Sequence, residues 1–410
     1  MSAPAVVVGA SLAGLRAAEA LRARGWEGEL VMVGAEPHMP YTRPPLSKAL
    51  LGGALEPAGV ELECEGVDAE WRLGVTATGL DPERRRVALD DGDSLAYEML
   101  VVATGCRPRP WPGEGADLEG LFTLRTVDDS LALRAALRPG ARLVVIGAGF
   151  IGCEVASTAR SLGVEVTLVD VLPRPMHALG PLVGEVCARM HAEHGVELRL
   201  GAPVAALLGD RAFSGLELAD GARVEADLAV VALGAQPNVE WLEGSGLAVR
   251  AGLICDEHCI AAGASRIAAA GDVATWPHPL ASGGLIRVEH WSNASEQAGV
   301  AAANLLVAEH ERIAYDAVPS FWSDQYDVKL QAVGLPAHPT RYEVVEGHEG
   351  GRFVAAGECD GRLVAAVGWN AQRRMPWYRR QIAEGASLEA VRAAVADEPK
   401  ALPREAATAQ

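Results

Sequence analysis

Short, unbroken apolar runs that end in glycine and lead into alanine-rich helical periods set the pattern of this chain. Ala5 to Val8 is one such run and Leu143 to Ile146 another. Four or five consecutive apolar residues without alternation are what a parallel strand covered on both faces requires. The first run turns into a helix predicted from about Leu12 to Arg24, and the second does the same within LVVIGAGFIGCEVA, residues 143 to 156. Further strands are expected at Leu30 to Val33 and Val164 to Val169. MLVVATGCRP, at 99 to 108, is echoed roughly 130 residues later by ADLAVVALGAQPN, at 226 to 238, as a nested duplication predicts.

Other stretches carry different periods. Residues 73 to 103 alternate like antiparallel strands, with turns at Asp81-Pro82 and Asp90 to Asp93. RIAAAGDVA, 266 to 274, is a short apolar strand ending in Gly271-Asp272, and RVEHWSNASEQAGVAAANLLV, 287 to 307, opens a helix near Trp291 with Ser292 or Asn293 available as its cap. From about Val318 the chain alternates again, beginning with FWSDQYDVKLQAVG, which points to a small α+β domain.

At 410 residues and 50% hydrophobic, the chain is long enough for two or three cores. The Pro- and Gly-rich segment CRPRPWPGEGAD, 106 to 117, marks the first boundary. The predicted organisation is a first domain over 1–108 and 241–317, a second over 109–240, a third over 318–397, and a disordered polar tail over 398–410. A net charge of -18 argues against nucleic-acid or anionic-membrane partners, because both need a basic surface. No run of about 18 apolar residues is present to span a bilayer. The seven cysteines, Cys64, Cys106, Cys153, Cys187, Cys255, Cys259 and Cys359, are scattered and never spaced as CxxC, so the spacing predicts no metal site and fits a reducing cytoplasm.

The glycine turns carry the chemistry. Gly147, Gly149 and Gly152 complete GxGxxG at a strand-to-helix junction, where glycines allow a tight turn, close approach of a pyrophosphate and close helix packing. Asp170 follows 18 residues after Gly152, at the distance where an acid accepts from an adenosine ribose and repels a 2'-phosphate. This favours NADH, with Arg174 nearby as the contrary feature. In the first copy Gly9, Ser11 and Gly14 occupy the same positions and Glu36 lies 22 residues after Gly14. That copy reads either as a second dinucleotide site or as a plain glycine turn. The rigid loop PYTRPPLSKALL, 40 to 51, presents Arg43 and Lys48 either to a pyrophosphate or electron-rich ring, or to solvent. Asp272 suits a ribityl hydroxyl or a simple turn, and the helix start near Trp291 suits an anion. RRMPWYRR, 373 to 380, is either a basic docking patch or a solvated helix face.

PYTRPPLSK, GAGFIGCEVA, AAGDVA, EHWSNASEQA and FWSDQYD together resemble the FAD-dependent, putidaredoxin reductase-like ferredoxin and rubredoxin reductases of the glutathione-reductase-like flavoproteins. The resemblance covers residues 4 to about 385, and FWSDQYD is its most discriminating part. It implies an α/β fold of two nested Rossmann-like domains, for FAD and NAD, with a C-terminal α+β domain. It implies a ferredoxin reductase that draws electrons from NADH through FAD and gives them to a two-iron two-sulfur ferredoxin feeding a cytochrome P450 or a dioxygenase. The alternatives are a rubredoxin reductase or an NADH flavoprotein like apoptosis-inducing factor. By the same resemblance Gly9, Ser11, Gly14, Glu36, Arg43, Lys48, Arg125, Asp272 and Trp291 lie at FAD, and Gly147, Gly149, Gly152, Glu154, Asp170 and Gly234 at NADH. Lys48 and Glu154 are the implied catalytic pair; the acidic partner that the resemblance implies makes the clustered Arg373, Arg374, Arg379 and Arg380 the candidate docking residues. Two departures stand out: Ser11 replaces a common glycine, and Ala35 replaces an acid carried by many members. The loop with Lys48 has no cysteine of the kind that thiol-relay relatives need, so electrons are expected to leave the flavin directly.

Overall fold

The computed structural model describes residues 3–396 and 402. The segment predicted to be a disordered tail otherwise lies outside the described residues. The labelled elements are, in chain order, β1 (Ala5–Val8), α1 (Leu12–Ala23), β2 (Leu30–Gly34), β3 (Glu70–Leu73), β4 (Met99–Val102), β5 (Leu121–Phe122) and α2 (Val127–Ala136). Next come β6 (Arg142–Ile146), α3 (Phe150–Ser161), β7 (Glu165–Asp170), α4 (Pro181–Glu193), β8 (Glu197–Leu200) and β9 (Leu228–Val231). β10 (Ile267–Ala269) and α5 (Trp291–Leu305) precede a C-terminal set of β11 (Ser320–Gln325), β12 (Val328–Gly334), β13 (Arg341–Gly347), β14 (Phe353–Cys359), β15 (Arg362–Trp369), α6 (Met375–Ala383) and α7 (Leu388–Ala396).

The chain forms two compact units. Unit 1 comprises Met1–Thr42, Ala58–Arg107 and Gln236–Pro319. Its sheet runs β10-β4-β1-β2-β3, every pairing parallel. The order β3-β2-β1-β4 is that of a doubly wound mononucleotide fold, which opens a crevice at the carboxyl ends of the strands. β1, β2 and β4 are buried along their whole length, which explains their unbroken apolar sequence. The alternating stretch after β3 forms an antiparallel sheet of Ala77–Asp81, Arg86–Leu89 and Ser94–Ala96.

Unit 2 comprises Arg43–Pro57, Pro108–Ala235 and Ser320–Gln410. It repeats the parallel plan as β8-β7-β6-β9-β5, and its C-terminal part adds an antiparallel sheet, β11-β12-β15-β14-β13. The units group the chain differently from the domains predicted above, since the Arg43–Pro57 loop and the C-terminal segment both join the second dinucleotide fold. Hydrogen bonds give the reason. Ser130 Oγ of α2 donates to Leu46 O at 2.7 Å, and Thr158 Oγ1 of α3 donates to Ser47 O at 2.8 Å. The Tyr326 amide donates to Ser157 Oγ at 2.7 Å, which fastens the end of β11 to α3.

Candidate functional site

The two glycine turns share one steric lock. A Cβ on Gly9 would stand 2.0 Å from Ala103 O and one on Gly14 only 1.8 Å from Gly9 O. In the second copy the matching distances are 2.3 Å from Gly147 to Ala232 O and 1.9 Å from Gly152 to Gly147 O. Gly9 and Gly147 have φ of 118° and 109°, a region that side chains rarely enter. The middle positions are different. Ser11 (φ -118°, ψ -161°) and Gly149 (φ -76°, ψ -166°) are both extended, a backbone open to any residue. Ser11 therefore fits where a glycine is common. Around Gly149 a Cβ would meet nothing within 4 Å, so the start of α3 is open to a ligand.

Neither α1 nor α3 has a side chain capping its first amides among the described residues, although Ser11 is chemically suited to the task. The contrast is α2, where Thr126 Oγ1 accepts from the Asp129 amide at 3.1 Å and Asp129 Oδ2 accepts from the Thr126 amide at 2.8 Å. Uncapped amides with a partial positive charge are what a pyrophosphate requires. Both turns fit the pyrophosphate of a dinucleotide such as FAD or NAD.

The acids follow as spaced. Asp170 ends β7 and accepts from the Ala148 amide at 2.6 Å and the Leu172 amide at 2.7 Å, one through each oxygen. Each oxygen keeps a lone pair for a ribose hydroxyl. Arg174, the contrary feature, pairs with Glu185 at 3.0 Å. Gly234 has φ of 83° and open space where a Cβ would stand. In unit 1, Glu36 accepts a short hydrogen bond from the Tyr41 hydroxyl. Asp272, just beyond β10, accepts from Cys106 Sγ at 3.2 Å, and Trp291 Nε1 donates to Thr42 Oγ1 at 3.2 Å.

α5 begins at Trp291 as expected, with a different cap. His290 holds that position, while Asn293 lies inside the helix, accepting from the Tyr315 hydroxyl at 3.1 Å and donating to Val288 O at 3.3 Å. Buried work of this kind takes Asn293 away from capping. Burial also pushes the His290 imidazole down to about 4, with Asp272 pulling the other way. The ring is thus neutral at pH 7 and adds no cation beside the helix start.

Unit 2 contains a buried, fully engaged carboxylate of the predicted set. Glu154, 4% exposed on α3, meets Lys48 Nζ at 2.5 Å through Oε2. The same oxygen accepts from Ser47 Oγ at 2.5 Å, and Oε1 accepts from Ser323 Oγ at 2.6 Å. A buried carboxylate is tolerable because a cation and two hydroxyls satisfy it. The amine also donates to Pro44 O at 3.1 Å, inside the turn that the prolines stiffen. Arg43 Nη1 donates to Arg125 O at 2.7 Å, and the Arg125 amide donates to Asp129 Oδ2 at 2.9 Å, so the α2 capping box fixes both. Sequence reasoning missed Ser47 and Ser323. Ser323 stood within FWSDQYD without a role, and strand alternation was the signal that it faces inward with Gln325.

The arginine group needs correction. Arg373 and Arg380 are exposed and Arg379 is half-buried, but Arg374 is 6% exposed. Its guanidinium forks onto Glu346, with Nη2 to Oε1 at 2.8 Å and Nε to Oε2 at 2.9 Å, and Tyr378 donates to Oε1 at 2.7 Å. Arg374 cannot dock a partner because Glu346, itself fully buried, depends on it. No helix among the described residues is long and apolar enough to cross a membrane.

A ferredoxin–NAD(+) reductase component of the anthranilate 1,2-dioxygenase system from Burkholderia cepacia is 42% identical over 93% of this chain and 95% of that protein. Putidaredoxin reductase of Pseudomonas putida is 37% identical over 80% of each chain. The reductase in the crystal structure of a covalent putidaredoxin reductase–putidaredoxin complex superposes with a TM-score of 0.88 at 34% identity, covering 93% of both chains. Residues 320–404 match the reductase C-terminal domain and residues 3–298 match the pyridine nucleotide-disulphide oxidoreductases, the family to which this chain belongs.

Proposed function

We propose that this protein is an NADH:ferredoxin oxidoreductase, drawing electrons from NADH through FAD and passing them to a two-iron two-sulfur ferredoxin that serves a dioxygenase or a cytochrome P450. The observation that carries the reading is the buried Glu154 carboxylate, gripped by Lys48, Ser47 and Ser323 on the helix that opens from the complete glycine turn. FAD, when bound, supplies the step from two-electron hydride chemistry to single-electron delivery. The residues of the chain supply position and charge. Gly147, Gly149, Gly152 and the first amides of α3 receive the NADH pyrophosphate, Gly234 leaves the backbone open, and Asp170 selects the ribose that lacks a 2'-phosphate. Gly9, Ser11, Gly14, Glu36, Asp272 and Trp291 serve FAD in the same manner. Arg43, Lys48 and Arg125 are assigned to FAD on the family resemblance.

Glu154 holds the Lys48 ammonium at a fixed place, so its charge needs no reorganisation during turnover. We place the protein in the cytoplasm, where its seven cysteines, none of them in a disulfide, persist as thiols. The test is cytochrome c reduction by the yellow protein with NADH, with and without an added ferredoxin. Saturable reduction only with ferredoxin is expected; equal rates without it would refute the assignment of partner. Arg373 and Arg380 are the exposed cations offered to an acidic ferredoxin. Charge reversal of both should raise the KM for ferredoxin about tenfold and leave NADH-to-ferricyanide activity unchanged.

A further inference from the structure

Cys153 of α3 meets Cys187 and His191 of α4 in the interior of unit 2. All three are 0% exposed, and one ligating atom from each lies within 4.8 Å of the others. Cys187 and His191 stand one helical turn apart, so α4 presents both on one face. Gln325 of β11 completes the group. Its Oε1 lies 3.0 Å from His191 Nε2 and 3.7 Å from Cys187 Sγ. A tetrahedral ion bound at about 2.0–2.1 Å to nitrogen or oxygen and about 2.3 Å to sulfur spaces its ligands ~3.4–3.8 Å apart. The Cys153, Cys187 and His191 atoms, within 4.8 Å of one another, and Gln325 Oε1, 3.0 and 3.7 Å from two of them, stand close to that spacing.

We propose that Cys153, Cys187, His191 and Gln325 Oε1 form a site for a thiophilic d10 cation, with Zn(II) as its reference occupant. Charge favours this occupant. Two thiolates neutralise a divalent ion, so the filled site leaves no net charge in an apolar interior, and the two thiol protons pass to solvent. The surroundings already orient the imidazole. His191 Nδ1 lies 3.2 Å from the Tyr326 hydroxyl, which suits a ring whose Nε2 ligates while Nδ1–H donates outward. Tyr326 is in turn stacked on His194 with ring centroids 3.7 Å apart. The ion clasps α3 to α4 at Cys153, which stands between Gly152 and Glu154 of the nucleotide-binding turn. Its role goes beyond the proposed electron transfer and does not depend on it.

The full-length flavoprotein, incubated with Zn(II) and then passed over a chelating resin, should retain one zinc per chain by elemental analysis. X-ray absorption at the zinc edge should show two sulfur neighbours at about 2.3 Å and two nitrogen or oxygen neighbours at about 2.0–2.1 Å. Cys187→Ser and His191→Asn, with flavin content confirming that each has folded, should weaken retention by about tenfold or more. The absorption measurement needs no variant, so a misfolded variant does not shield the proposal. No retained zinc, or zinc with a shell free of sulfur as at an adventitious surface site, overturns it.

Discussion

The turns at Gly9–Gly14 and Gly147–Gly152 are built alike, yet they tolerate different residues at their middle position. The outer glycines are locked by backbone oxygens 1.8 to 2.3 Å from where a Cβ would stand, with Ala103 and Ala232 in matching places. The middle residue is extended in both and faces no such wall. The comparison separates two roles that GxGxxG combines. Sterics inside the fold dictate the outer glycines, whereas only the ligand restricts the middle one.

The largest effect should come from the locked positions. Gly14→Ala is expected to abolish FAD retention. Gly152→Ala should leave the protein yellow but raise the KM for NADH by about 100-fold or more, since displacing the turn by an ångström misaligns the bound nucleotide. Loss of flavin in both variants would show that the turns are not independent.

Ser323→Ala probes the next level. It removes the hydroxyl that donates to Glu154 Oε1 and leaves a buried carboxylate oxygen short of a donor, a cost of about 1–3 kcal/mol. The rate of flavin bleaching by NADH should fall about tenfold, with flavin content preserved. Ser323→Thr, which keeps the hydroxyl, should recover most of the rate.

The smallest changes belong to the middle positions. Gly149→Ser should raise the KM for NADH only a few-fold, about 1 kcal/mol or less, because its Cβ meets open protein space and crowds the ligand alone. Ser11→Gly should leave FAD content unchanged, measured by absorbance after gel filtration. A large loss in either would place a steric wall where the backbone shows none.

Local chemistry made much of this legible in the sequence. β1, α1, β2 and the glycine turns follow from apolar runs and spacing, and the Lys48 and Glu154 pairing came from the family resemblance rather than from any local signal. What stayed hidden depended on distant partners. Arg374 looked like its exposed neighbours because Glu346, 28 residues away, is what buries it. Asn293 looked like a cap because its partner Tyr315 is out of view in a local window. Cys153, Cys187 and His191 escaped a search for CxxC because two helices assemble the group.

If Glu154 acts through charge at Lys48 and not as a packing element, removing that charge slows flavin reduction. Glu154→Gln keeps the shape while removing the negative charge, one serine hydroxyl turning from donor to acceptor toward the new amide nitrogen, and stopped-flow absorbance under anaerobic conditions measures flavin reduction by NADH directly. The rate should be lower by about tenfold or more, with FAD content and melting temperature little changed. An unchanged rate would contradict it.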